Sequence, residues 1–300
     1  MPHVETPDLL LAQFPESTAS APGMRVIDGS APHSHGVVWL DVPYARESGR
    51  DLRLQIVWPP MPDWDGLRMY PAVVFVQGSG WDEQQLGQWL SPLIDFAVRG
   101  YVVAIVEYRP SEVAPFPAQI ADARTAVRYL RAHAAQHKID PNRMALWGDS
   151  SGAHTALMVH LADDLGLAAC VDYYGPTDLI RMNDEPSAFD HLAADGNEGR
   201  LLGGVDLRAR PDRAEPANVV ARVPSDRAVP PVLIMHGSKD RVVPFAQSVY
   251  LYEALVAAGQ PVEFYQLQGA DHGSGAFWTS DTLDIVDRFL SDAFERAAQP

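Results

Sequence analysis

The sequence predicts an α/β protein: a mostly parallel, doubly wound sheet of about eight strands, opened by an antiparallel hairpin and interrupted by a lid-like insertion. Three observations carry this. Short continuous apolar runs at 72–76, 101–106 and 231–237 alternate with segments of helical period, and a strand buried on both faces reads as such a run. Gly148-Asp149-Ser150-Ser151-Gly152 stands between another apolar run and a helix. From 177 to 229 the apolar periods thin out and Asp, Arg, Pro and Gly accumulate.

Taken in order, residues 1–34 are rich in Pro, Ser and Thr, with an apolar patch from Leu9 to Phe14. They read as an N-terminal arm carrying a small helix, ahead of one catalytic domain over 35–300. His33 and His35 lack the thiol or carboxylate companions of a metal site, so no metal is expected there. Residues 36–42 and 52–58 form the hairpin; the second run alternates with period two, and Gly49 lies in the charged turn between them. Such a hairpin, with one wet face, suits the edge of a sheet. Pro59, Pro60 and Pro62 end it. The run 72–76 is the first buried strand, and it leads into Gln77-Gly78-Ser79-Gly80-Trp81. Ligands in an α/β sheet bind at loops on the carboxyl ends of strands.

A strand over 101–106 follows. Ile120, Ala123, Val127, Leu130 and Ala134 then share one helical face, with Arg124, Arg128 and Arg131 off it. Asp140-Pro141 separates this helix from a strand at 143–147. After Ser150, residues 153–161 read as a helix and 167–173 as a strand. The 177–229 stretch is read as short helices forming a cap or lid, because loops this long in a compact domain are usually functional. A strand at 231–237, a helix marked by Phe245, Val249, Tyr252 and Leu255, a strand at 262–267 and a helix marked by Leu283, Val286, Leu290 and Phe294 complete the chain.

Composition narrows the function. The formal charge of −16 argues against nucleic acid and anionic membrane as partners. No apolar run reaches about 18 residues, so no spanning helix is expected. Cys170 is the single cysteine; it rules out a disulfide within the chain and reads as a buried thiol. The first residues lack the basic start of a secretory signal, which makes the cytoplasm the default location. Monomer and homo-oligomer both stay open.

The chemistry centres on Ser150. A strand, a sharp turn and a helix with serine at the apex make a nucleophile elbow. Asp240 follows the strand 231–237, and His272 follows the strand 262–267. Three polar groups thus emerge at the carboxyl ends of three strands in the order Ser, Asp, His. His272 is placed to take the proton of Ser150 and return it to the leaving group. Asp240 would fix the imidazole tautomer and stabilise the imidazolium. The amides of Ser151, Gly78 and Ser79 are expected to form the oxyanion hole. Gly80 and Trp81 are expected at the substrate. Asp271 adjoins His272 but is poorly placed to orient its own neighbour, so Asp240 is the better acid. His236 reads as a structural hydrogen-bonder, and His154 and His160 as packing residues. Asp178 has no assigned role. Neither metal nor organic cofactor is required.

The motifs Gln77-Gly78-Ser79-Gly80-Trp81, Phe116-Pro117-Ala118, Ile139-Asp140-Pro141-Asn142-Arg143, the elbow with Ala153-His154, His236-Gly237-Ser238-Lys239-Asp240 and Asp271-His272-Gly273 resemble the α/β-hydrolase superfamily over nearly the whole chain after residue 35. The similarity is to the esterase branch with hormone-sensitive-lipase-like carboxylesterases and bacterial feruloyl and acetylxylan esterases. Gln77 stands where that branch has histidine, and Ser79 where it has glycine. The resemblance implies a carboxylic ester hydrolase acting on small acyl or aryl esters, including esters on carbohydrates. An amidase, formamidase or peptidase would use the same triad. A non-catalytic binding module on this fold is the reading from a different class, and an intact triad argues against it.

Overall fold

A computed structural model describes residues 15–27, 36–60, 68–162 and 165–297. The helix expected near Leu9 to Phe14, together with His33, His35 and Pro62, lies outside the described residues. The chain divides into two units, Met1–His33 and Ser34–Pro300. In the first, residues 15–27 are irregular apart from a turn in which the Met24 amide donates to the Ala21 carbonyl.

The second unit is the α/β body. Its strands are β1 (Val37–Glu47), β2 (Arg50–Trp58), β3 (Tyr70–Val76), β4 (Val102–Val106), β5 (Ile139–Asp149), β6 (Cys170–Tyr173), β7 (Val232–Gly237) and β8 (Val262–Leu267). They form one eight-stranded sheet in the order β1-β2-β4-β3-β5-β6-β7-β8. The β1–β2 and β2–β4 pairs are antiparallel, and the other five pairs are parallel. The strand order crosses over at β3 and β4, so the central strands β3 and β5 are flanked on both sides. Their residues are apolar on both faces because helices cover both.

Alternation along β3 shows the two layers. Ala72, Val74 and Val76 join a core with Ala123, Val127 and Leu130 of α2 (Ala118–Ala132), Leu157 of α3 (Ser151–Ala162) and Leu251 and Leu255 of α5 (Ala246–Ala257). Val73 and Phe75 join the opposite core with Leu93 and Phe96 of α1 (Leu90–Ala97) and Val286, Leu290 and Phe294 of α6 (Ser280–Ala297).

The structure departs from the expected elements in a few places. The helix α1 was not anticipated. The strand expected over 167–173 spans Cys170–Tyr173, although the Ala168 amide and the Ala169 carbonyl ahead of it already hydrogen-bond β5. Ala134 is buried just beyond the end of α2. On α5 the buried face is Gln247, Ser248, Leu251 and Leu255, and Tyr252 is exposed. That face carries two polar residues, so an apolar stripe drawn from sequence misses its orientation. Cys170 is buried, and burial pushes its thiol well up.

Between β6 and β7 the backbone is ordered into short pieces: turns of 3₁₀ helix at Leu179–Asn183, Pro211–Arg213, Glu215–Ala217 and Val220–Arg222, with α4 (Asn197–Leu201) among them. Leu179, Leu201, Leu202, Leu207, Ala214 and Ala217 form a separate small core together with Trp81. Among the described residues, no helix is long and apolar enough to cross a membrane.

Candidate active site

The elbow is a close-packed turn. Ser150 sits at φ +53°, a left-handed backbone that L-residues rarely adopt. Its amide donates to the Tyr173 carbonyl, which ties the apex to β6. Glycine is required on either side by space. A Cβ at Gly152 would lie 2.0 Å from the Val76 carbonyl oxygen, and one at Gly148 would lie 2.5 Å from the Gly152 carbonyl oxygen. The start of α3 therefore packs directly on the end of β3.

Ser150, Asp240 and His272 come together across three loops. His272 Nε2 lies 3.0 Å from Ser150 Oγ, and His272 Nδ1 lies 2.7 Å from Asp240 Oδ2. The Asp240 carboxylate is buried and fully hydrogen-bonded. Its Oδ1 accepts from the amides of Val242 and Val243, both at 2.8 Å. Its Oδ2 also receives His236 Nε2 at 3.2 Å. Burial alone would raise this carboxyl, but hydrogen bonds and positive charge from His236 and His272 outweigh it and hold the group well below the usual carboxylate range. His236 Nε2 also donates to the Val243 carbonyl, and Nδ1 pairs with Ser248 Oγ. With Nε2 carrying the proton, this histidine steadies the acid. Asp271 faces away from the imidazole. It binds Arg241 through Nε and Nη2 and accepts from the His272 amide, and the Arg241 hydrogen bonds draw its carboxyl down to about 2. The Tyr174 ring packs edge-to-face with His272, with ring centroids 4.6 Å apart and planes at 60°.

The oxyanion loop lies against the elbow, but its amides are arranged differently from the expectation. A Cβ at Gly78 would come within 2.8 Å of Ser150 Cβ. The Gly78 amide, however, donates to Asp149 Oδ1 at 2.7 Å, and the Ser79 amide donates to Ser151 Oγ at 2.9 Å. Neither points to an empty position beside Ser150. Among the described residues, the amides of Gly80 and Ser151 donate to no protein acceptor. Gly80 has φ +66°. Trp81, expected at the substrate, is 1% exposed and packs into the small core of the 177–229 segment, with its ring edge-on to His154. It anchors that segment to the loop.

Asp149 is the polar support that sequence reasoning missed. It is buried, accepts from Gly78 on one oxygen and from Trp89 Nε1 at 3.1 Å on the other. Burial pushes its carboxyl up to about 6, against the pull of the Gly78 amide, His272 and Trp89. Its place in the elbow motif was the available signal.

The remaining candidates have structural partners. His154 Nε2 pairs with the Ala217 carbonyl and His160 Nε2 with the Pro230 carbonyl; burial lowers His154 to about 4, so it is neutral near pH 7. Asp178 caps the 3₁₀ turn at Leu179–Asn183 by accepting from the Ile180 amide. Gln77 donates to the Gln85 carbonyl. Among the described residues, no three His, Cys, Asp or Glu side chains gather to hold a metal ion.

A mixed sheet with this strand order, a serine elbow after β5, an acid after β7 and a histidine after β8 define an α/β-hydrolase fold. More narrowly, the chain belongs to the BD-FAE family, whose model matches residues 60–255. It is 25% identical over 297 residues to the probable carboxylic ester hydrolase LipM of Mycobacterium tuberculosis, covering 92% of this chain and 66% of that protein. It is 28% identical over 254 residues to esterase LipQ of the same organism, covering 77% and 56%. The chain thus spans 56% to 66% of the length of these relatives. Among solved structures, a truncated carbohydrate esterase from gut microbiota superimposes with a TM-score of 0.76 at 26% identity, over 89% of this chain and all of that one. A propionate-bound esterase, Est2 of Thermogutta terrifontis, does so with a TM-score of 0.66 at 26% identity, over 86% and 94%.

Proposed function

We propose that the chain hydrolyses carboxylic esters through an acyl-enzyme on Ser150. The observation that carries this is His272, which reaches Ser150 Oγ with one ring nitrogen and the Asp240 carboxylate with the other. In the acylation step His272 Nε2 takes the Ser150 proton as Oγ attacks the carbonyl carbon. Asp240 accepts from Nδ1–H throughout and stabilises the imidazolium. The amides of Ser151 and Gly80 receive the tetrahedral oxyanion; both lie beside the elbow and have no acceptor among the described residues. His272 then delivers the proton to the leaving alkoxide. Water repeats the cycle on the acyl-enzyme, and the acid leaves.

The acyl group is small or aromatic and the alcohol includes carbohydrate. Support comes from the resemblance to feruloyl and acetylxylan esterases and from the similarity to a carbohydrate esterase and to an esterase with propionate bound. The 177–229 segment is the cap over this site: Asn197 lies against Gly80, and Arg200 pairs with Asp82 of the same loop. A cytoplasmic location belongs to the same proposal and fits the single buried Cys170.

The test is turnover of p-nitrophenyl acyl esters, matched aryl amides and acetylated or feruloylated sugars by wild type and Ser150→Ala. Ester hydrolysis that falls by about 10⁴-fold or more in the variant is expected, as for loss of a triad serine. Preference for amides would move the reading to an amidase. Activity surviving in Ser150→Ala would refute the acyl-enzyme.

A further inference from the structure

The two residues that flank the nucleophile both hold the oxyanion loop by their side chains. Asp149 Oδ1 takes the Gly78 amide. Ser151 Oγ takes the Ser79 amide at 2.9 Å and the Trp81 amide at 3.2 Å. The amide between these last two, that of Gly80, has no protein acceptor among the described residues. The arrangement tethers the loop on each side of Gly80.

The protons of the node can be assigned. Tyr108 Oη lies 3.0 Å from the Gln77 carbonyl, which can only accept, so the phenol donates there. Burial pushes this phenol up to about 12, so it keeps its proton. Ser79 Oγ lies 2.7 Å from the Asp82 carbonyl and donates to it. Two contacts to Tyr108 Oη remain, from Ser79 Oγ at 3.2 Å and Ser151 Oγ at 3.4 Å; with the Tyr108 and Ser79 protons already committed to carbonyls, the first carries no proton and the second runs from the Ser151 hydroxyl to the phenol oxygen. Ser151 Oγ accepts twice and donates once, with Ser151 only 2% exposed. A hydroxyl this buried and this fully engaged has one orientation. Asn197 restrains Gly80 from the other side, since a Cβ there would lie 2.4 Å from its Nδ2.

We infer that Ser151 is a positioning residue as well as an amide donor: its hydroxyl pins the Ser79 and Trp81 amides so that the intervening Gly80 amide is presented to the oxyanion. This rests on the esterase reading above. Its physical content is preorganisation: a donor already aimed at the developing charge costs no reorganisation during the reaction. The Tyr108 phenol completes the node by fixing the direction of the Ser151 hydroxyl.

The experiment compares Ser151→Ala and Tyr108→Phe with wild type. The readouts are kcat and KM on p-nitrophenyl acetate and the inhibition constant of an aryl trifluoromethyl ketone, which forms a tetrahedral adduct on the nucleophile. Ser151→Ala is expected to lower kcat about tenfold, the worth of one lost oriented hydrogen bond, with KM unchanged. The ketone is expected to bind weaker by the same factor. Tyr108→Phe is expected to shift both in the same direction by less. The double variant is expected to resemble Ser151→Ala, because both residues act through one oxygen. Wild-type kcat and ketone affinity in Ser151→Ala would overturn the inference. So would a gain in either, which would mean that the hydroxyl competes with the oxyanion for the Ser79 amide. Failure of the esterase reading is separate: it shows as a wild type that turns over no ester, or as turnover retained in Ser150→Ala.

Discussion

At the scale of single residues, the site is an arrangement of donors and acceptors with few left over. The Asp240 carboxylate receives two amides and two imidazoles. Ser150 is held in left-handed backbone at the apex of a turn whose neighbours admit no side chain. That conformation costs about 1 kcal/mol or more in a non-glycine residue. Ser150→Gly is therefore expected to be more stable than Ser150→Ala by about 1 kcal/mol, although both remove the proposed nucleophile. Urea unfolding of the two inactive variants measures this. Equal stabilities would show that the elbow is not strained. The Ser150–His272–Asp240 arrangement was legible because its members are polar residues in fixed chain order, each following an apolar strand. The free amides of the 77–81 loop were not, because an amide's direction depends on which side chain accepts its neighbours. Gly78 and Ser79 looked available until Asp149 and Ser151 were placed.

At the scale of elements, the carboxyl end of β4 is tied to α2 by a specific ion pair. Arg109, just after β4, grips Asp122 of α2 through Nε and Nη2, and its amide donates to the same carboxylate. Asp122 is 2% exposed. Asp122→Ala leaves a mostly buried guanidinium without its main partner, and the expected cost is about 3 kcal/mol. The urea midpoint should fall accordingly. A loss below about 1 kcal/mol would place the pair among solvated surface bridges. The strands of the parallel core were readable as apolar runs, since both faces are covered. The helix α1 was not, because its eight residues span barely two turns and give periodicity little to register. The pieces between β6 and β7 are shorter still. Their burial comes from Trp81 and a handful of leucines brought together by the fold, which no local pattern announces.

At the scale of the molecule, the chain carries a formal charge of −16 and also buries carboxyls that resist ionisation. Asp172 on β6 is the strongest case. Its Oδ1 accepts from the Gly175 amide at 2.8 Å, while Oδ2 has no partner among the described residues. Burial pushes this carboxyl up to about 7, with the Gly175 amide opposing. In the unfolded chain it ionises near its ordinary value, 3.8. Between these two values the folded protein holds a proton that the unfolded chain has released. Raising the pH through this window therefore favours unfolding, and the effect is complete above about 7. Asp149, pushed up to about 6, acts in the same sense over a narrower range. Asp240 acts oppositely: its lowered carboxyl contributes stability above the ordinary carboxylate value, and that contribution is lost as the pH falls through its folded value. Asp172 and Asp149 thus pull stability down from about pH 5 to pH 7, and mutual repulsion of the excess acids adds to this, while His154, lowered to about 4 in the fold against an ordinary 6.5, pulls the other way up to about pH 6.5. Asp172→Asn preserves the acceptor for Gly175 and removes the titration. From pH 5 to pH 8 its stability relative to wild type is expected to improve by about 3 kcal/mol, from two units of withheld ionisation. Urea unfolding of both proteins at the two pH values measures the difference. Curves that stay parallel across this range would show that Asp172 is already ionised in the fold, with water or a rearranged neighbour satisfying Oδ2.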